Sequence, residues 1–317
     1  MPTSRTTAAA SQSRAVVQAK DVVALSVRQY GPRDAALTVV LLHGHCQRGE
    51  SWTYVLDALR RRCPDVRFVS YDHRGHGNSA AAPRETYHLE QLGHDLRDVL
   101  AAVAPTGPIV LVGHSMGGMT ALTYAGQHPH EIGARIVGVA LIATAASNLA
   151  EAGFGRLLRN PLISLFQAAV RLAPRWTQRA KLLACKIFAP IVRAAEYGDR
   201  AVSPRVLALN NAMHNQTSIV TMASFLSTFT TYNRTAVLPL LTPIPTLALC
   251  GSADLMTPPS HSVTMAAAAH SELVLIEGAG HSVILEQPES VAAALAHLLA
   301  RVVGNSAAVD AQPEFAA

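Results

Sequence analysis

Apolar and polar positions along the chain follow two recurring patterns. Short β-branched runs that close on glycine or a polar turn predict strands: "LTVVLLHG" from Leu37, "VRFVSYDHRG" from Val66 and "PIVLVGHS" from Pro108. "IVGVALIAT" from Ile136, "TLALCGSAD" from Thr246 and "ELVLIEG" from Glu272 continue the series. Runs this apolar are expected to be buried on both faces, as parallel strands are. Between the second and third runs, Leu89, Leu92, Leu96, Val99 and Val103 share one helical face, which predicts a crossover helix. A second helical pattern, from Glu289 to Val302, closes the series. The fold class is therefore α/β, an open and mostly parallel twisted sheet with helices on both faces.

The strand series stops between Asn148 and Leu240. There "PLISLFQAAVRLAP" has helical spacing, and Pro161, Pro174, Pro190 and Pro204 are expected to cut the segment into several short helices. The expected organisation is a sheet core over residues 21–147 and 241–303, with a helical cap inserted over 148–240. Residues 1–20 are expected to fray, and the tail over 304–317 to be flexible.

Half of the 317 residues are hydrophobic and 15% are charged, enough for a sizeable core. The first twenty residues lack the apolar stretch of a secretory signal, and no apolar run is long enough to cross a bilayer, so the expected location is the cytoplasm. Cys46, Cys63, Cys185 and Cys250 have no paired spacing and are expected to be free thiols. The net charge of +5 is uneven: Glu151 to Leu240 holds eleven Arg or Lys against three acidic residues, and the remainder is slightly negative.

The candidate chemistry begins at "VLVGHSMGGM", Val110 to Met119, where a serine sits between glycines after a buried strand and before the helical stretch "MTALTYAGQH". A G-x-S-x-G run alone is common. In a strand–turn–helix setting it predicts a nucleophile elbow, with Gly113 and Gly117 needed because the backbones crowd there. Ser115 would project at the carboxyl edge of the sheet, where ligands of such sheets bind. A serine needs a base to take its proton. Asp254 and His281 follow in the expected order, each just past a strand. His281 would shuttle the proton and Asp254 would orient the imidazole and stabilise its charged form. The oxyanion of the intermediate would be held by the backbone N–H of Met116 and that of His45. This chemistry calls for no metal and no cofactor.

In these residues the chain resembles α/β-hydrolase-fold serine hydrolases, of the branch with bacterial esterases, monoglyceride-lipase-like enzymes and cofactor-free haloperoxidases. The resemblance spans about Val22 to Val303 and rests on "HGHC", "DHRGHGNS", "GHSMGG", "GSADLMTP" and "GHSVILEQP" in the family's order. It implies an α/β-hydrolase fold and a carboxylic ester hydrolase acting through an acyl-enzyme. It also implies a supporting role for Asp72. Relatives with an elbow aspartate open epoxides or displace halide, and the elbow serine here argues against both. A C–C bond hydrolase, an acyltransferase or a perhydrolase would use the same three residues, and a non-catalytic ligand-binding protein of this fold is the alternative from another class.

The H-x-H pairs His43/His45 and His128/His130 lack any H-E-x-x-H or Cys/His partner pattern, so packing is expected of them and no metal. His114 is expected to pack in the wall. The basic insertion mixes Arg156, Arg159, Arg171, Arg175 and Arg179 with Leu157, Phe166, Trp176 and Leu183. Its helices are expected to bury their apolar face on the core, with peripheral contact to an anionic membrane as the competing reading. The expected partner is a small-molecule ester, apolar or lipid-like; no nucleic-acid module accompanies the charge.

Overall fold

The computed structural model describes residues 12–198 and 201–310, the side chains of 184–192 and 306–310 excepted. Eight strands form one sheet: β1 (Gln12–Gln18), β2 (Ala24–Tyr30), β3 (Thr38–Leu42), β4 (Arg67–Tyr71), β5 (Ile109–His114), β6 (Ile136–Ile142), β7 (Thr246–Gly251) and β8 (Glu272–Ile276). The order across the sheet is β1-β2-β4-β3-β5-β6-β7-β8. Only β2 runs against its neighbours; β3 to β8 are mutually parallel. All six strands read from apolar runs are present, in an α/β-hydrolase fold.

The helices are α1 (Thr53–Arg62), α2 (Leu89–Val103), α3 (Met116–Gln127), α4 (Pro161–Leu172), α5 (Pro174–Glu196), α6 (Pro204–Gln216), α7 (Ile219–Thr231), α8 (Pro259–Ala269), α9 (Val283–Glu286) and α10 (Pro288–Asp310). Because side chains alternate across a strand, β3 sends Val39 and Leu41 to one face and Val40 and Leu42 to the other. The first pair meets α1 and α10 through Trp52, Leu59, Leu295 and Leu298. The second meets α2 and α3 through Leu96, Val99, Ala121 and Leu122. β3, β5 and β7 are buried along their whole length.

Several expectations are corrected. Residues 1–20 were expected to fray, yet Gln12–Gln18 pairs along its whole length with β2. A strand at a sheet edge is held by its ladder and needs apolar residues on one side only, so "QSRAVVQ" carries no strong pattern. The tail expected to be loose from Gly304 continues α10 to Asp310; residues 1–11 and 311–317 lie outside the described residues. Pro190 does not end a helix, for α5 runs through it over 23 residues. One proline removes one ladder bond, and the turns on either side carry the helix on. β8 departs from burial on both faces: Leu273 and Leu275, on one face of this edge strand, are exposed, while Val274 on the other face packs against the core.

Pro161, Pro174 and Pro204 each begin a helix, where a missing N–H costs nothing. The four helices α4 to α7 lie between β6 and β7. α7 turns Phe225 and Phe229 onto Met116 at the sheet's carboxyl edge. α4 and α5 depart from the expected burial: Leu162, Leu165, Leu172, Trp176 and Leu183 face outward. Cys46, Cys63 and Cys250 are free, and burial pushes the Cys46 thiol up to about 12 and Cys250 up to about 11; the Cys185 side chain lies outside the described residues. No helix among the described residues is long and apolar enough to cross a membrane.

Candidate active site

The parallel strands end on a common edge, and three of them deliver Ser115, Asp254 and His281 to it. Ser115 follows β5 directly and precedes α3, with φ 53° and ψ −120°, a conformation rare for a residue with a side chain. Its neighbours over-determine that turn. The Ser115 N–H donates to Ile142 O at 2.9 Å, while its carbonyl accepts from Thr144 Oγ1 at 2.7 Å and from Gly118 N at 2.9 Å. A Cβ on Gly113 would stand 2.4 Å from the Gly117 backbone, and one on Gly117 would stand 2.2 Å from the Leu42 carbonyl oxygen. Glycine at both positions is what allows α3 to start so close to β3.

His281 Nε2 lies 3.0 Å from Ser115 Oγ, and His281 Nδ1 lies 3.0 Å from Asp254 Oδ2. The structure thus joins three side chains up to 166 residues apart into one line. Asp254 is held in turn by Thr257 and Met256: the Thr257 hydroxyl donates to Oδ2 at 2.8 Å, and the Met256 and Thr257 N–H groups donate to Oδ1 at 2.8 and 2.9 Å. Burial raises the Asp254 pKa, but His281 and these donors outweigh it and hold the carboxyl below its ordinary range. Burial lowers the His281 pKa, but the Asp254 charge and hydrogen bond prevail and raise it above the usual histidine value. Such a line lets an imidazole accept a hydroxyl proton as the oxygen attacks, with the carboxylate steadying the resulting cation.

The loop after β3 passes beside the serine, so that a Cβ on Gly44 would stand 3.2 Å from Ser115 Cβ. Among the described residues, the main-chain N–H groups of His45 and Met116 have no acceptor. The remaining histidines nearby are structural. His43 Nδ1 donates to Gly44 O at 2.8 Å and its Nε2 accepts from His73 N at 2.9 Å, while His76 Nε2 accepts from Cys46 N at 3.2 Å. A neutral imidazole has one donor and one acceptor, and His43 has spent both. Burial pulls His43 down to about 4 and His45 to about 3, so both rings are uncharged at neutral pH. Asp72 is fully buried, accepting from Arg28 at 3.1 Å, Gly49 N at 2.7 Å and Asn78 N at 2.9 Å.

Several supporting residues were missed in the sequence. Thr257 had a local signal, three residues after Asp254 in a turn where an Asp side chain captures following N–H groups. His114 packs in the wall as expected, buried between the Trp52 and His281 rings, and its Nε2 also donates to the His281 carbonyl at 2.9 Å. Glu286 accepts from Gly280 N at 2.9 Å and from Gly198 N at 3.0 Å, bridging the His281 loop to the end of α5. Glu196, beside it, lies 3.0 Å from His214 Nε2. No short-range pattern announces these contacts.

One cluster could hold a cation: His128, His130 and Glu131 bring ligand atoms within 4.8 Å of one another. The Glu131 carboxylate is already engaged by the Tyr124 hydroxyl at 2.6 Å and by Arg135. The cluster sits past the far end of α3, about 18 Å along the helix from Ser115 at 1.5 Å per residue.

Over short segments the chain is similar to the monoacylglycerol lipase of Mycolicibacterium smegmatis, 31% identical over 102 residues, or 31% of this chain and 36% of the lipase. It is also similar to epoxide hydrolase 3 of Xenopus tropicalis, 40% identical over 91 residues, or 28% of this chain and 24% of that protein. The matched segments thus span only about a third or less of these relatives. A thermophilic esterase from Thermogutta terrifontis superposes with a TM-score of 0.72 at 25% identity, covering 92% of this chain and 99% of the esterase. Residues 39–294 match the alpha/beta hydrolase family, and the chain belongs to it.

Proposed function

We propose that the protein is a carboxylic ester hydrolase working through an acyl-enzyme on Ser115. The observation that carries this reading is the unbroken line from Asp254 through His281 to Ser115, with 3.0 Å at each of its two steps. Ser115 Oγ attacks the ester carbonyl carbon as its proton passes to His281 Nε2. The N–H groups of His45 and Met116 hold the oxyanion. His281 returns the proton to the alkoxide oxygen as the C–O bond breaks, leaving the acyl group on Ser115. Water, deprotonated by the same imidazole, then releases the acid and restores the hydroxyl. Asp254 stays ionised throughout.

The wall beside Ser115 favours an uncharged, apolar acyl group. Met116, Leu149, Phe225 and Phe229 are packed together there, with the uncharged His45 ring 5.4 Å from Phe229 between centroids. The similarity to a monoacylglycerol lipase, named for a lipid ester, supports this direction.

The test is a panel of p-nitrophenyl esters of increasing acyl length, with mass spectrometry of the trapped intermediate. A rise in kcat/KM with chain length and an acyl adduct on Ser115 are expected. Adding an alcohol or peroxide separates hydrolysis from acyl transfer and perhydrolysis by the product formed. Failure of Ser115 to react with a fluorophosphonate probe would overturn the enzyme reading in favour of a ligand-binding protein.

A further inference from the structure

Between Glu151 and Glu196 the chain holds eight Arg or Lys residues and no acidic residue. This segment forms α4 and α5, and its apolar residues divide between two sides. On the inner side Val170 packs with Ile219 and Ala223 of α7. On the outer side Leu172 is 87% exposed, Leu183 81%, Trp176 71% and Leu162 66%. A water-facing helix surface ordinarily carries polar residues, and leaving this much leucine and tryptophan in water is costly. Arg156, Arg159, Arg171, Arg175 and Arg179 of the same segment are exposed as well. Arg179 lies over the Trp176 ring at 5.5 Å, pairing a cation with an aromatic that favours the boundary between water and hydrocarbon.

We propose that the outer face of α4 and α5 docks on an anionic lipid bilayer, with Leu172, Trp176 and Leu183 entering the acyl boundary and the arginines meeting the headgroups. Charge decides the occupant. Two copies of this face would bring arginines against arginines, with no carboxylate in the segment to offset them. A nucleic acid would satisfy the arginines and leave the leucines in water. An anionic bilayer satisfies both.

The docking face continues into the wall beside Ser115. Leu157 is exposed, whereas the next residue, Leu158, packs on the cluster containing Met116 and Phe229. α5 itself ends at Glu196, whose carbonyl accepts the Ser282 N–H next to His281. A lipid ester leaving the bilayer would therefore meet the apolar wall first. That last step rests on the ester-hydrolase reading; docking does not.

Intrinsic fluorescence provides the test, because the chain has two tryptophans and Trp52 is fully buried, leaving Trp176 as the one that a bilayer can reach. The full chain is titrated with vesicles of phosphatidylcholine alone and of phosphatidylcholine with phosphatidylglycerol, at low and high salt. A blue shift and binding at least about tenfold tighter with the anionic lipid, weakened by salt, are expected. The variant L172S/L183S should bind about tenfold or more weakly, and R175E/R179E should lose the preference for anionic lipid. Both should keep the wild-type rate on a soluble p-nitrophenyl ester, so loss of docking and failure of the hydrolase reading are read separately. Equal binding to neutral and anionic vesicles, no change in fluorescence, or concentration-dependent dimerisation that buries Trp176 without lipid would each overturn the proposal.

Discussion

Ser282 gives its main-chain N–H to the Glu196 carbonyl at 2.8 Å, tying the residue after His281 to the end of α5. On the other side of the imidazole, Gly280 N donates to Glu286 at 2.9 Å, and the same carboxylate accepts from Gly198 N. In the proposed mechanism Glu286 is a positioning residue, acting through the loop that carries His281. Glu286→Gln keeps the shape and weakens this grip. It should lower kcat about tenfold with little change in KM, the pattern of a lost orientation rather than a lost substrate contact. The fluorophosphonate labelling rate of Ser115 should fall in parallel, and a change in KM alone would contradict the role.

The pH dependence follows from the charge beside His281. Burial disfavours the imidazolium, Asp254 favours it more strongly, and the net effect raises the pKa above the ordinary histidine value. The imidazole must be neutral to accept a proton, so kcat/KM should fall as the pH drops through that raised value. In Asp254→Asn the supporting charge is gone. The acid limb should move to lower pH, and the plateau should drop by about four orders of magnitude. An acid limb in the same position in both proteins would count against the assignment.

Two substitutions at Ser115 separate chemistry from backbone strain. Ser115→Ala keeps a Cβ at φ 53° and should leave stability unchanged, while turnover falls by about four to six orders of magnitude. Ser115→Gly should be as inactive, yet more stable by about 1 kcal/mol, because glycine tolerates this conformation. Urea denaturation of the three proteins, followed by circular dichroism, measures the difference.

Asp72 should matter to stability and not to turnover. Its carboxylate receives the Arg28 guanidinium, itself 3% exposed, and two backbone N–H groups. Asp72→Asn removes the charge facing a buried cation whose other ionic partner among the described residues is the more exposed Glu50. A loss of about 3 kcal/mol in chemical denaturation is expected, with kcat per folded molecule unchanged.

Much of this site was legible because its signals are local. The strand–Gly–x–Ser–x–Gly–helix run around Ser115 contains its own steric reason, and Asp254 and His281 announce themselves by standing just past strands β7 and β8. Thr257 was readable in principle from its spacing to Asp254. Glu196 and His114 were not, nor was the contact of Glu286 with Gly198, since each joins segments that no periodicity links.

The order of apolar runs in the sequence by itself determined the six parallel strands, the crossover α2 and the common edge where Ser115, Asp254 and His281 meet. Hydrophobic periodicity is a property of neighbouring residues and needs no partner to be read. Only the tertiary structure decided that Gln12–Gln18 pairs with β2, that α5 continues past Pro190, and that Leu172, Trp176 and Leu183 turn to solvent. Those outcomes depend on which surfaces find each other: a polar edge strand is held by its neighbour's hydrogen bonds, and an apolar helix face is buried only if something is there to cover it.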